Sequence, residues 1–220
     1  MRCLMCGKEM GGGGLRDIII GDDELCQECR SMWIKKRLAF VFEGVQATAS
    51  YVYNDAFSSC LIQYKELCDE ALRDVFLHEE KQWLKRRYKG YAICLMPSSL
   101  SKRKERGFDH LEGIFGCLGM KMLSPFEKHS EASQKKLSSK ERLAMSEAII
   151  LKPDVVLPRK ILLCDDTITT GSTIKGALRQ IDCVKHCVKI YCVSANKSWH
   201  GIKTLSSQYQ NGLNRSKKKR

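Results

Sequence analysis

The chain has 220 residues, room for one ordinary domain with a small accessory module or for two modest domains, and enough to bury a core without disulfides. Hydrophobic residues make up 43% and charged residues 29%, and no stretch approaches the ~18 uninterrupted apolar residues of a spanning helix, so a soluble globular class is expected. The 38 Lys and Arg outnumber the 25 Asp and Glu and leave a formal charge of +13; nucleic acid, a phosphorylated small molecule or an anionic membrane surface would each reward such an excess.

The opening run Met1-Arg2-Cys3-Leu4-Met5-Cys6 lacks an apolar leader core, so no secretory signal and a cytoplasmic location are expected, with the twelve cysteines kept reduced. Cys3, Cys6, Cys26 and Cys29 form two C-x2-C knuckles separated by nineteen residues. Such knuckles converge four thiolates into the tetrahedron of a closed structural Zn²⁺ site, which supplies folding energy that this segment, with its Gly11–Gly14 run, cannot draw from apolar burial. The other eight cysteines lack paired spacing, lie mostly in apolar runs and read as small buried hydrophobes.

Further along, Ser31–Phe40 reads as a short basic helix and Ala49–Tyr53 as a strand. Asp55–Tyr88 is helical in composition with a break around Lys65–Asp69, and Ala92–Met96 is a buried strand halted by Pro97. Ser98–Gly107 reads as a basic loop, Phe108–Leu118 as a helix, and Ser133–Ser146 as a polar stretch with a helical second half. Ile161-Leu162-Leu163-Cys164 is an apolar strand that gives way to a polar loop, Asp165–Thr173. Ile174, Ala177, Leu178 and Ile181 then mark a helix at i, i+3, i+4 and i+7, and Val188–Val193 a further strand. This β-loop-α-β order predicts an α/β fold with a parallel sheet and right-handed crossovers. The expected division is a zinc-ribbon module over 1–38, the α/β domain over 39–200 and a basic, flexible tail over 201–220.

The polar loop carries the chemistry. A strand end at the carboxyl edge of a parallel sheet, followed by small residues and a helix start, can wrap a phosphate in main-chain amides and hydroxyls, here from Thr169, Thr170, Gly171, Ser172 and Thr173. Asp165 and Asp166 stand too close to that phosphate to help hold it. Ionised carboxylates only accept hydrogen bonds, so vicinal sugar hydroxyls are their natural partners.

Strand, acid pair and Thr-Thr-Gly-x-Thr loop together resemble the signature of type I phosphoribosyltransferases. The resemblance implies that fold, with helices on both faces of the sheet. It also implies Asp165 and Asp166 on the ribose 2′- and 3′-hydroxyls of phosphoribosyl pyrophosphate, and Thr169–Thr173 around its 5-phosphate. Pro97, the stretch Lys102–Asp109, and Gln134, Leu137 and Glu141-Arg142 resemble segments of the ComF competence proteins, as do the N-terminal knuckles. Membership in that family implies a role in natural transformation, with single-stranded DNA and a ComFA-type helicase-like ATPase as partners, peripheral to the membrane uptake machinery. Lys65, Arg103 and Arg106 are candidates for pyrophosphate, accompanied by Mg²⁺. Lys65-Glu66-Leu67-Cys68-Asp69 lacks the aromatic residue and glycine common in the family at this loop. An active transferase acting on an unidentified base or amine, or a sensor that binds without turnover, are the alternative readings.

Lys81, Lys85, Arg86 and Arg87, interleaved with Trp83 and Tyr88, are candidates for nucleic acid, since cations track phosphates while rings stack on unpaired bases; a solvated helix face is the plainer reading. Trp199 follows the last strand, where it either packs or stacks on a base.

Overall fold

A computed structural model describes residues 1–10, 23–128 and 149–201. The Gly11–Gly14 run, the expected helix within 133–146 with its family-like residues, and the tail from 202 onward lie outside the described residues. The main sheet has six strands in the order β1-β2-β8-β7-β3-β4. These are β1 (Lys35–Phe42), β2 (Val45–Val52), β3 (Ala92–Leu95), β4 (Met122–Leu123), β7 (Lys160–Ile168) and β8 (Cys187–Ala195). Strands β2, β8, β7, β3 and β4 are mutually parallel, and only β1 runs antiparallel at the edge. The expected parallel α/β core is present, with an antiparallel hairpin added to it.

β1 corrects the expected basic helix over Ser31–Phe40. The helix there, α1 (Gln27–Ser31), ends earlier, and Leu38, Phe40 and Phe42 alternate inward as a half-buried strand requires. Lys35-Lys36-Arg37 hides this alternation because a register shift falls between Lys35 and Leu38, with Arg37 at φ +44°. The boundary expected after residue 38 therefore falls inside β1.

The helical stretch after β2 divides into α2 (Asp55–Lys65), a 3-10 turn (Glu70–Asp74) and α3 (Lys81–Arg87). Asn54 caps α2 by accepting from the Phe57 amide at 3.0 Å, and the expected break after Lys65 is present. The expected loop over Ser98–Gly107 is instead a helix, α4 (Leu100–Arg106), followed at once by α5 (His110–Gly116). Ser99 caps α4, Gly107 ends it at φ +85°, and Asp109 caps α5 through the amides of Leu111 and Glu112. The basic composition of α4 conceals it, since its buried anchor is Arg106 rather than an apolar side chain.

α2, the 3-10 turn and α5 pack against one another, with Phe115 of α5 edge-on to Tyr191 of β8 at 6.0 Å. α6 (Ser172–Leu178) packs against β6 (Ile149–Leu151), which pairs antiparallel with β5 (Phe126–Lys128) in a separate two-stranded sheet. Cys3, Leu25, Cys29 and Trp33 belong to the same continuous apolar core as the sheet. Trp33 packs on Tyr51, Phe57 and Phe76 with ring centroids 4.7–5.8 Å away, so the N-terminal module is seated on the domain rather than tethered to it.

Candidate functional site at the carboxyl edge of the sheet

β3 pairs with β7 only as far as Leu95 opposite Cys164, after which Pro97 supplies no amide. β7 runs on to Ile168, held along its other side by β8 with Asp165 opposite Cys192 and Ile168 opposite Ala195. The acid pair thus lies within a strand, not in the loop expected after Cys164, and beyond Cys164 the flank of that strand away from β8 has no strand partner among the described residues. Neighbouring strand residues point to opposite faces, so Asp165 and Asp166 diverge.

Asp166 is buried and heavily engaged. Its Oδ2 accepts from Lys65 Nζ at 2.6 Å and faces His110 Nε2 at 3.1 Å. His110 Nδ1 lies 3.0 Å from an Arg106 guanidinium nitrogen, which can only donate, so Nδ1 accepts and Nε2 carries the proton toward Asp166. Arg106 also donates through Nε to the Lys65 carbonyl at 2.8 Å, closing a ring of interactions among α2, α4, α5 and β7. Burial disfavours a charge on Asp166, but the His110 hydrogen bond and the Lys65 charge outweigh it and hold this carboxyl well below the usual range. Asp165 lacks those two donors, and its Oδ1 accepts from the Asp166 amide at 3.0 Å. Burial, then the charge of Asp166, push it up to about 8, against the opposing pull of that amide and of the Lys65 and Lys128 charges. The two carboxyls are therefore driven apart, Asp166 toward the ionised form and Asp165 toward the protonated one.

Beyond Ile168 the chain turns through Thr169, Thr170 and Gly171 into α6, which begins with Ser172 and Thr173. Gly171 has φ +77°, and a Cβ there would run into the Phe42 ring, so no side chain fits. Trp199 braces the same turn. Its Nε1 donates to the Thr169 carbonyl at 2.8 Å, and its ring lies 5.2 Å from Phe40 and 5.5 Å from Phe42. Of its two readings, packing is the one observed.

Of the pyrophosphate candidates, Lys65 is bound to Asp166, Arg103 pairs with Asp109 at 3.2 Å, and Arg106 is turned inward. The Glu66–Asp69 loop beside them has Cys68 at φ +58°. His110 is the residue that sequence reasoning missed; no local signal marks it, because its importance comes from contacts with β7, far away in sequence.

At the N-terminus, the sulfurs of Cys3, Cys6, Cys26 and Cys29 lie within 4.8 Å of one another, and Cys6 Sγ is 3.7 Å from Cys26 Sγ. A tetrahedral Zn²⁺ with bonds of about 2.3 Å needs sulfurs about 3.8 Å apart, so the four fit that ion. Although burial opposes the thiolate, amide donors from Cys26, Cys6 and Met5 bring Cys3 down to about 6, whereas burial and the neighbouring sulfurs push Cys29 up, as expected where several thiols crowd together and only one of them is readily charged.

α3 carries Lys81, Lys85, Arg86 and Arg87 and leads directly into β3, which places its end at the amino edge of the sheet, opposite the acid pair. Lys85, Arg86 and Arg87 are exposed. The interleaved aromatics are not free for stacking: Tyr88 is 1% exposed, and the Arg37 guanidinium lies 4.9 Å over the Trp83 ring.

No helix among the described residues is long and apolar enough to cross a membrane. No family model matches the chain. The chain is similar to competence protein ComFC of Streptococcus pneumoniae (strain ATCC BAA-255 / R6), with 35% identity over 157 residues that cover 71% of this chain and 68% of the relative. It is also similar to competence protein ComFC of Bacillus subtilis (strain 168), with 28% identity over 158 residues covering 70% and 65%. A parallel α/β core that presents an acid pair at its carboxyl edge, joined to a four-cysteine module, defines the class; the chain belongs to the ComFC family of competence proteins.

Proposed function

We propose that this chain is a competence factor of bacterial natural transformation. In this reading a phosphoribosyltransferase-like domain binds a phosphoribosyl pyrophosphate-type ligand, contacts single-stranded DNA and works beside a ComFA-type ATPase. The observation that carries the ligand reading is the placement of Asp165 and Asp166 on the part of β7 that runs beyond its pairing with β3, a few residues before the Gly171 turn. The loop takes the 5-phosphate through Thr169–Thr173, and the acid pair accepts from the ribose hydroxyls. Lys65 and His110 already occupy Asp166, so sugar hydroxyls must share or displace those donors. Arg103 and Lys65, on leaving Asp109 and Asp166, are the residues to act on the pyrophosphate with Mg²⁺, while Arg106 acts through His110 and the Lys65 carbonyl. The four cysteines hold Zn²⁺ as a structural centre with no position open for chemistry. Lys81, Lys85, Arg86 and Arg87 supply cations for DNA phosphates.

A working transferase is the second reading, and one feature favours it. Lys128, whose charge acts on Asp165, lines a cavity of about 100 Å³ with Leu95, Met96, Arg103 and Phe126. Ser98 Oγ, from the same cavity lining, is buried without a hydrogen-bond partner among the described residues. A flat acceptor could sit there. Incubation with phosphoribosyl pyrophosphate, Mg²⁺ and a panel of nucleobases tests it: pyrophosphate release marks an enzyme, and tight binding without release marks a binding protein.

A further inference from the structure

Three cations from separate parts of the chain converge at the amino edge of the sheet. Lys160 opens β7, Lys189 lies near the start of β8, and Arg87 ends α3. Between them stands Tyr91, with Lys189 Nζ 5.5 Å and Lys160 Nζ 5.8 Å from its ring centroid. Its hydroxyl is 3.2 Å from Cys187 Sγ, and its ring meets Tyr88 edge-on at 6.0 Å, two contacts that fix the ring's orientation. Arg87 and Lys160 are exposed and Lys189 is half-buried. Among the described ion pairs none involves Arg87, Lys160 or Lys189.

Like charges gathered without a carboxylate repel, and burying one of them adds a desolvation cost. Burial, followed by the charges of Arg87 and Lys160, holds Lys189 below the usual lysine range. A bound anion would relieve that tension. Several cations spread around an aromatic ring suit a chain of phosphates with bases attached, because the ring offers a stacking face that a simple phosphate ion does not use.

We propose that this amino edge is a docking surface for single-stranded nucleic acid, with Arg87, Lys160 and Lys189 on successive phosphates and Tyr91 stacked on an unpaired base. The Tyr91 ring is uncovered as its two lysines turn to those phosphates; Arg37, by contrast, is held over Trp83 by Glu80. The proposal rests on the DNA-binding reading above and adds the surface: it adds two strand lysines and a ring to the α3 cluster. The surface lies on the opposite edge from Asp165 and Asp166, so a nucleotide ligand and a strand can be held together.

The test is anisotropy of a labelled oligo-dT on the full chain from 50 to 200 mM salt. Each neutralised phosphate contributes about 0.7 to the slope of log affinity against log salt, so Arg87→Ala/Lys160→Ala/Lys189→Ala should flatten the slope by about 2. Removing Lys36, Lys102 and Lys104 instead should leave most of it. Tyr91→Ala should weaken binding about tenfold without changing the slope, and Tyr91→Phe, which keeps the ring, should restore it. If wild type binds oligo-dT and the triple variant keeps its slope, the surface is wrong while the DNA reading stands. If wild type does not bind at 50 mM salt, both fail. If the triple variant loses phosphatidylglycerol vesicles but not oligo-dT, the patch serves a membrane and the proposal is overturned.

Discussion

Lys65 Nζ lies 2.6 Å from Asp166 Oδ2, joining the last residue of α2 to the end of β7 across 101 residues of sequence. Lys65→Met should leave a buried carboxylate with His110 as its remaining side-chain donor, at a cost of about 3 kcal/mol at neutral pH. Because the folded Asp166 is depressed, its pairing stabilises above the unfolded value of about 3.9 and is lost as pH falls further. Denaturant titrations should therefore show the variant's deficit shrinking below about pH 4; a deficit independent of pH would place the effect elsewhere.

Asp165 should act in the opposite sense. Its folded value of about 8 means that the native state holds a proton which the unfolded chain gives up at about pH 4. Its contribution to stability falls as pH rises between those values. Asp165→Asn should be the more stable protein at pH 8, on the order of 1–3 kcal/mol, with the gap closing toward pH 4. Urea unfolding at pH 5 and pH 8 reads this directly.

The motif spacing made two features legible: the knuckles that meet at the four-cysteine cluster, and the apolar strand leading to an acid pair and a glycine turn. What stayed hidden depends on tertiary contacts. Asp165 to Ile168 remain extended because β8 supplies partners, which overrides the poor strand preference of aspartate. His110, Lys160 and Lys189 gain their roles only when distant elements meet, and α4 is anchored by an arginine that no hydrophobic periodicity could reveal.

Gly171→Ala should disrupt the turn on two counts, a strained positive φ and collision with Phe42. The expected result is a fold weakened by about 1–3 kcal/mol and a larger loss of phosphate-ligand affinity than Ser172→Ala causes. Trp199→Phe keeps an aromatic ring but removes the hydrogen bond to Thr169, and should weaken ligand binding with little change in stability. Paired melting and binding measurements separate the two effects.

Purified chain never exposed to chelator should contain one zinc per molecule by elemental analysis. Since Trp33 packs in the core that also includes Cys3 and Cys29, stripping the metal should shift tryptophan emission as well as expose the first residues to protease. Absence of zinc would remove the structural-centre assignment.

Binding of phosphoribosyl pyrophosphate with Mg²⁺, followed by calorimetry on wild type and on Asp165→Asn/Asp166→Asn, tests the central claim most directly. Charge-assisted hydrogen bonds are worth about 1.5–3 kcal/mol, so the account predicts measurable binding by wild type and a loss of at least about tenfold in the double variant. Equal affinity in the two proteins, or no binding by wild type, would contradict it.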